Sequence, residues 1–189
     1  QQRQRRAFDL RLYRDYGSGR YERRWMGVMP NLSELNEYKK RLVTAIVSDR
    51  DCVDLIVGAS GTALPAKSLI DDEANVNQIH LYDYIPETTD TDRVHICIEA
   101  FEGEQKSGNV RTYTLEVDVI CPESMMRMTG AVRRDSIAAA IDTLICGSGD
   151  YGFGFVESLP GQTGIPVAGF RGRRLRYRIS GWNQKGVRV

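Results

Sequence analysis

In the stretch VRTYTLEVDVICPESMM (110–126), apolar and polar side chains alternate for more than ten residues. Tyr113, Leu115, Val117, Val119 and Cys121 fall on one side, and Thr114, Glu116 and Asp118 on the other. A period of two over that length predicts a long strand with one buried face. Pro122 has no N–H to give to a ladder and predicts its end. RVHICIEAF (93–101) predicts the partner strand, with Val94, Ile96 and Ile98 inward and His95, Cys97 and Glu99 outward. The polar run EGEQKSGN between them reads as a hairpin turn. One-faced strands fit an antiparallel sheet covered by helices on one side. An earlier strand, IHLYDY (79–84), is predicted to stop at Ile85–Pro86.

Elsewhere the period changes to 3.6. A helix is predicted after Pro30, capped by Asn31 with Glu34 reaching back to it. Leu35, Tyr38, Leu42, Ala45 and Ile46 share its inner face, and Glu37, Lys39, Lys40 and Arg41 go to water. DRDCVDLIVG predicts a short second helix with Val53, Leu55 and Ile56 inward and Gly58 as its stop. Residues 59–78 read as a loop long enough to touch a neighbour. Residues 131–146 predict another helix, with Ile137, Ile141, Leu144 and Ile145 inward, Arg133, Arg134 and Asp142 opposite, and Gly147 at its end. FGFVESL (153–159) and RRLRYRIS (173–180) supply two last strands around the loop PGQTGIPVAG. The predicted fold class is α+β: a largely antiparallel sheet of about four to five strands, packed on one face by two main helices in the order ααβββαββ. The domain reading is a basic, aromatic N-terminal arm (1–30), an α+β body (31–182) and a short C-terminal tail (183–189).

Composition changes this picture mainly at the N-terminus. The 189 residues carry 26 Lys+Arg against 25 Asp+Glu, so the whole chain has no bias toward nucleic acid. Residues 1–30, however, hold eight arginines against Asp9, Asp15 and Glu22, a net of +5, which leaves −4 for the rest. In FDLRLYR, Phe8, Leu10 and Leu12 alternate as in a short strand, which cannot bury that side alone. With Tyr13 and Trp25 they form the expected docking surface. The four cysteines at 52, 97, 121 and 146 have no disulfide-scaffold spacing and read as free thiols of a reducing compartment. No apolar run reaches the length of a membrane span, and the arginine-rich start lacks the apolar stretch of a signal peptide.

Each candidate chemistry in the chain has a plainer explanation. A nucleophilic Cys121 needs a base, and the chain has only His80 and His95, with His95 on the opposite strand face. A zinc site needs paired ligands such as C-x2-C, and none occurs. GSGDYG (147–152) matches a dinucleotide motif by letter, but follows a helix and opens a strand, the reverse of the binding order. GASGT (58–62) lacks a phosphate-loop lysine. Arg174, Arg176 and Arg178 share one strand face. They read first as cross-strand ion pairs with the acidic faces, and second as a ridge for phosphates or an acidic partner. No catalytic residue, cofactor or metal is expected.

The segments LYDYIPETTDTDRVHICIEAF, TLEVDVIC, GAVRRDSIAAAIDTLICGSGDYGFGFVESL and FRGRRLRYRIS, taken in order, resemble the neck and tail-completion proteins of tailed bacteriophages. The tail terminator group is the nearest likeness, over about residues 32–182. The resemblance implies a non-enzymatic virion structural protein, assembled in the host cytoplasm and located at the tail or neck. It implies a homo-oligomeric ring, a hexamer, at the head–tail junction. Its partners would be the tail tube protein and the connector or head-closure protein, with DNA passing through the lumen unread and no membrane involved. Arg174, Arg176 and Arg178 would then line the channel or meet an acidic neighbour. A head-closure or tail-tube assembly role is the near alternative, and a nucleic-acid-binding module using the arm is the distant one.

Overall fold

The computed structural model describes residues 32–58, 66–72, 76–87, 92–107, 110–146, 155–163 and 168–182. Helix α1 (Leu32–Ser48) buries Leu42, Val43, Ala45 and Ile46, with Leu35 and Tyr38 packed at the margin of the core. The inner face expected from the 3.6 period is the face observed. Asn31 and the Glu34 side chain lie outside the described residues. Lys39 departs from expectation. Its stem runs past the sheet edge and its Nζ donates to Glu99 (2.8 Å) and to the Leu81 carbonyl (2.8 Å), leaving the side chain only 12% exposed. A long aliphatic stem lets a lysine cover apolar surface and still pair its charge.

Helix α2 (Arg50–Val57) starts at Asp49, whose carboxylate accepts from the Cys52 N–H at 2.7 Å. It ends at Gly58, where φ is +80°, a region that disfavours any residue with a Cβ. Cys52 and Ile56 are its buried residues, whereas Val53 and Leu55 are only partly covered. The Arg133 guanidinium closes this helix from outside, donating from Nη1 to the Leu55 carbonyl and from Nε to the Met125 carbonyl, both at 3.0 Å. A cation on the last carbonyls of a helix suits their partial charge. Arg133 therefore links elements and does not face water as its position in the pattern suggested.

Among the described residues five strands make the main sheet, in the order β1-β2-β3-β7-β6. They are β1 (Ile79–His80), β2 (His95–Ser107), β3 (Val110–Pro122), β6 (Phe155–Thr163) and β7 (Phe170–Trp182). Only the β1–β2 pairing is parallel. A small hairpin, β4 (Arg127–Met128) and β5 (Ala131–Val132), turns at Gly130 with φ +74° and leads into α3 (Arg133–Cys146). The α+β class, the largely antiparallel sheet and the helix-strand order stand as read from the sequence, with this hairpin added.

Boundaries moved in several places, and the last strand runs Phe170–Trp182 where 173–180 was expected. The expected strand 79–84 shrinks to two residues, because the chain leaves the ladder after His80. The polar run 102–107 is not a turn but the continuation of β2, with register irregularities between Glu102, Gln105 and Ser107. Residues 160–163, expected in a loop, extend β6 beyond a bulge between Leu159 and Gln162.

The core lies between the helices and one sheet face. Tyr113, Leu115, Val117, Val119 and Cys121 from β3 meet Ile96 and Ile98 from β2, Tyr177 and Ile179 from β7, and Ile137, Ile141 and Ile145 from α3. Gln78, itself buried, donates to the Ile56 and Val94 carbonyls and so fastens the approach to β1 against α2 and β2.

Candidate functional site

The sheet face turned away from the helices carries paired charges. Arg174 meets Asp118 through two parallel contacts, Nε–Oδ1 at 2.7 Å and Nη2–Oδ2, and its Nη1 also reaches Glu116 (3.5 Å). Arg176 Nε donates to Glu116 (2.7 Å), and Arg178 Nη1 to Glu157 (2.9 Å). The register explains the pattern: Asp118 lies opposite Arg174, Glu116 opposite Arg176 and Glu157 opposite Arg178. Asp118 is almost wholly buried by its partner, and the two-pronged contact holds the Arg174 guanidinium charged well above its usual range. These three arginines thus form the cross-strand ladder read from the sequence, and their charge is already met by carboxylates of the same chain.

Beside the ladder lies a buried imidazole pair. His80 Nδ1 contacts Asp71 Oδ2 (2.7 Å), and His80 Nε2 contacts His95 Nδ1 (3.0 Å). His80 is thus held between a carboxylate and a second imidazole, one ring nitrogen engaged by each. The other Asp71 oxygen accepts from the Asn77 N–H at 2.7 Å. Tyr84 stacks on His80 with centroids 4.1 Å apart, and Phe170 sits edge-on to His95. Both imidazoles are wholly buried, so a solute has no path to either. His95 and Cys97 lie on the strand face opposite Ile96 and Ile98, as the alternation indicates, but that end of the outer face is packed and not wet. Phe170, Ile120 and Tyr84 cover that end of the outer face as a second small apolar cluster with Cys97.

The thiols are separated from the imidazole pair in the hydrogen-bond pattern. Cys97 Sγ donates to the Tyr84 carbonyl (3.5 Å) and Cys121 Sγ to the Pro122 carbonyl (3.6 Å). Burial pushes Cys52 and Cys97 up to about 12 and Cys121 up to about 11, against the direction a nucleophile needs. Cys146 alone is exposed, and partial burial and Asp142 raise its pKa as well. In the native protein, alkylation is therefore expected at Cys146 only, slow at pH 7 and still accelerating beyond the pH at which a free thiol levels off. Mass mapping of labelled peptides checks this; native labelling of Cys52 or Cys121 contradicts the packing described.

A cavity of about 410 Å³ opens between α3 and the β6–β7 side of the sheet. Asp135, Ala138, Ala139 and Asp142 form its helical wall, and Ser158 and Tyr177 part of its floor. Tyr177 donates its hydroxyl to Asp142 (2.8 Å), while Asp135 accepts from Arg134 and from Arg173 (2.9 Å). These bonds lower the Asp135 carboxyl pKa, Arg134 contributing most. Asp142, expected to face water, is thus tied to the core through Tyr177.

Of the residues singled out for assembly, Phe8, Leu10, Leu12, Tyr13 and Trp25 lie outside the described residues, as do the glycine motif (147–152) and residues 59–65 and 73–75 of the long loop. The remainder of that loop holds a 3-10 turn (Ala66–Leu69), a bridge from Ile70 to Ile79, and Asp71, the histidine partner that sequence spacing did not bring forward. Among the described residues no group of three His, Cys, Asp or Glu is placed to hold a metal ion, and no helix is long and apolar enough to cross a membrane.

The fold and its paired charges define the class: an α+β body with a helix-covered, largely antiparallel sheet whose opposite face is a charge ladder. Residues 47–179 match the model of the YomW family, and the chain belongs to that family. No curated protein matches it.

Proposed function

We propose that this chain is a virion structural protein of a tailed phage, assembling as a ring of six at the head–tail junction. There it ends the tail tube and joins it to the connector. Membership of the YomW family, a family of prophage type, supports the phage setting. The observation that carries the assembly reading is the sheet itself. Among the described residues β6 has a strand partner on one side only, and β1 shields β2 only at Ile96 and Cys97. Unpaired strand edges are ready sites for contact between chains. The groups that would serve catalysis or phosphate binding are meanwhile engaged within the chain: the thiols of Cys52, Cys97 and Cys121 and both imidazoles are buried, and Arg174, Arg176 and Arg178 are paired.

The reading is tested by adding the purified protein to polymerising tail tube protein and imaging labelled tubes. The expected result is label at one end of each tube and arrested growth. Uniform decoration, or no binding to tube or connector, contradicts it. Binding to the connector with none to the tube assigns the protein to another neck role.

A further inference from the structure

We propose that the groove between α3 and β6 receives residues 8–12 of a second copy as an added strand on the β6 edge. On the acceptor side, Phe155–Leu159 runs in unbroken register with β7, from Ser180 to Arg176, before the bulge at Leu159/Gln162. That gives a five-residue edge with no strand on its outer side among the described residues. The bulge, with Pro160 inside it, sets the far limit of pairing. The donor FDLRL is also five residues of strict alternation, with Phe8, Leu10 and Leu12 on one side.

The lateral fit follows from strand geometry. In β6, Val156 and Ser158 pair with Ile179 and Tyr177 and so point to the helix side, where the cavity lies. A strand added to this edge turns every second side chain the same way. Phe8, Leu10 and Leu12 then enter the cavity beside Ala138 and Ala139, whose small side chains leave that flank of α3 open. Phe8 to Leu12 spans about 14 Å at the rise of a strand, and Asp135 to Asp142 about 10 Å along a helix. Charge agrees as well. The arm region 1–30 carries +5 and the remainder −4, and the alternation places both Asp9 and Arg11 on the outer face, beside the Glu157–Arg178 pair, where the added strand continues the alternation of opposite charges.

The other partly open edge is less suited. Lys39 crosses β2 to reach Glu99, and irregularities interrupt β2 from Glu102 onward. Crossing side chains and bulges are ways in which an edge is closed to further strands.

The test uses full-length chains in a Cys146→Ser background, one carrying Leu10→Cys and the other Ala139→Cys, with different tags and a short bismaleimide. A product carrying both tags is expected as the main crosslinked species. Leu10→Asp in the arm, and separately Ala139→Arg at an exposed position of the groove wall, are each expected to weaken self-association at least tenfold without moving the thermal midpoint. If Ala139→Arg disturbs folding, Leu10→Asp carries the test alone. Crosslinking confined within single chains, no crosslinking, or association unchanged by Leu10→Asp overturns the proposal. A ring that survives Leu10→Asp removes the strand addition and leaves the tail role standing. Mixed-tag dimers that never close into a ring support the strand addition and count against the terminator reading.

Discussion

Replacing His80 by alanine is expected to lower stability by about 3–4 kcal/mol, one of the two largest single-residue effects described for this fold. The imidazole is wholly buried, stacks on Tyr84, and is bonded on both sides, by Asp71 at 2.7 Å and His95 at 3.0 Å. Truncation opens a ring-sized void, takes a hydrogen bond from the part-buried Asp71 carboxylate and strands a ring nitrogen of His95 in the interior. His80→Phe restores most of the volume but neither hydrogen bond, and is expected to recover about half of the loss. With a urea slope of about 2 kcal/mol per molar, the alanine variant's midpoint falls by roughly 1.5–2 M. A fall under about 0.5 M means that the pair is not a structural joint between the 71–80 segment and β2.

The second large effect concerns the charge ladder, where burial ranks three similar-looking arginines. Arg174→Ala leaves Asp118, with a side chain 8% exposed, without its two-pronged partner. Breaking a fully buried pair costs about 3–5 kcal/mol. Because Arg174 itself is about one-third exposed, the expected loss is about 2 kcal/mol. Arg176→Ala is expected to cost about 1 kcal/mol, since Glu116 keeps a second contact with Arg174. Arg178→Ala, whose partner Glu157 is 51% exposed, is expected to cost under about 0.5 kcal/mol. Asp118→Asn in the Arg174→Ala background should regain part of the loss by removing the stranded charge. Equal effects at 174, 176 and 178 in chemical denaturation contradict this ranking and favour a role outside the folded chain.

These two sites show where sequence patterning stops. Alternation told correctly that Tyr113, Leu115, Val117, Val119 and Cys121 point one way, and that Glu116 and Asp118 point the other. It reports direction only. Whether an outward side chain meets water depends on what is laid over it. His95 and Cys97 are buried because Phe170, some seventy positions later, and Tyr84 cover them. The Arg174–Asp118 pair was legible because a strand register makes few combinations possible between an acidic face and a basic one. The Asp71–His80–His95 chain was not, since Asp71 sits in a loop whose path no periodicity describes. Lys39 misled for a related reason: a polar residue on a helix flank counts as exposed in any pattern, yet its stem reaches over the sheet edge to Glu99. The groove beside α3 had a weak signal in the adjacent small residues Ala138, Ala139 and Ala140, which a helix packed all round would not favour.

The central claim is that this body works through contacts between copies and neighbours. Particle mass by sedimentation, with negative-stain images of the same sample, tests it most directly. The account predicts closed rings with a mass about six times that of the 21.3 kDa chain, formed alone or on a tail tube. A protein that stays monomeric at high concentration and binds neither tube nor connector contradicts it.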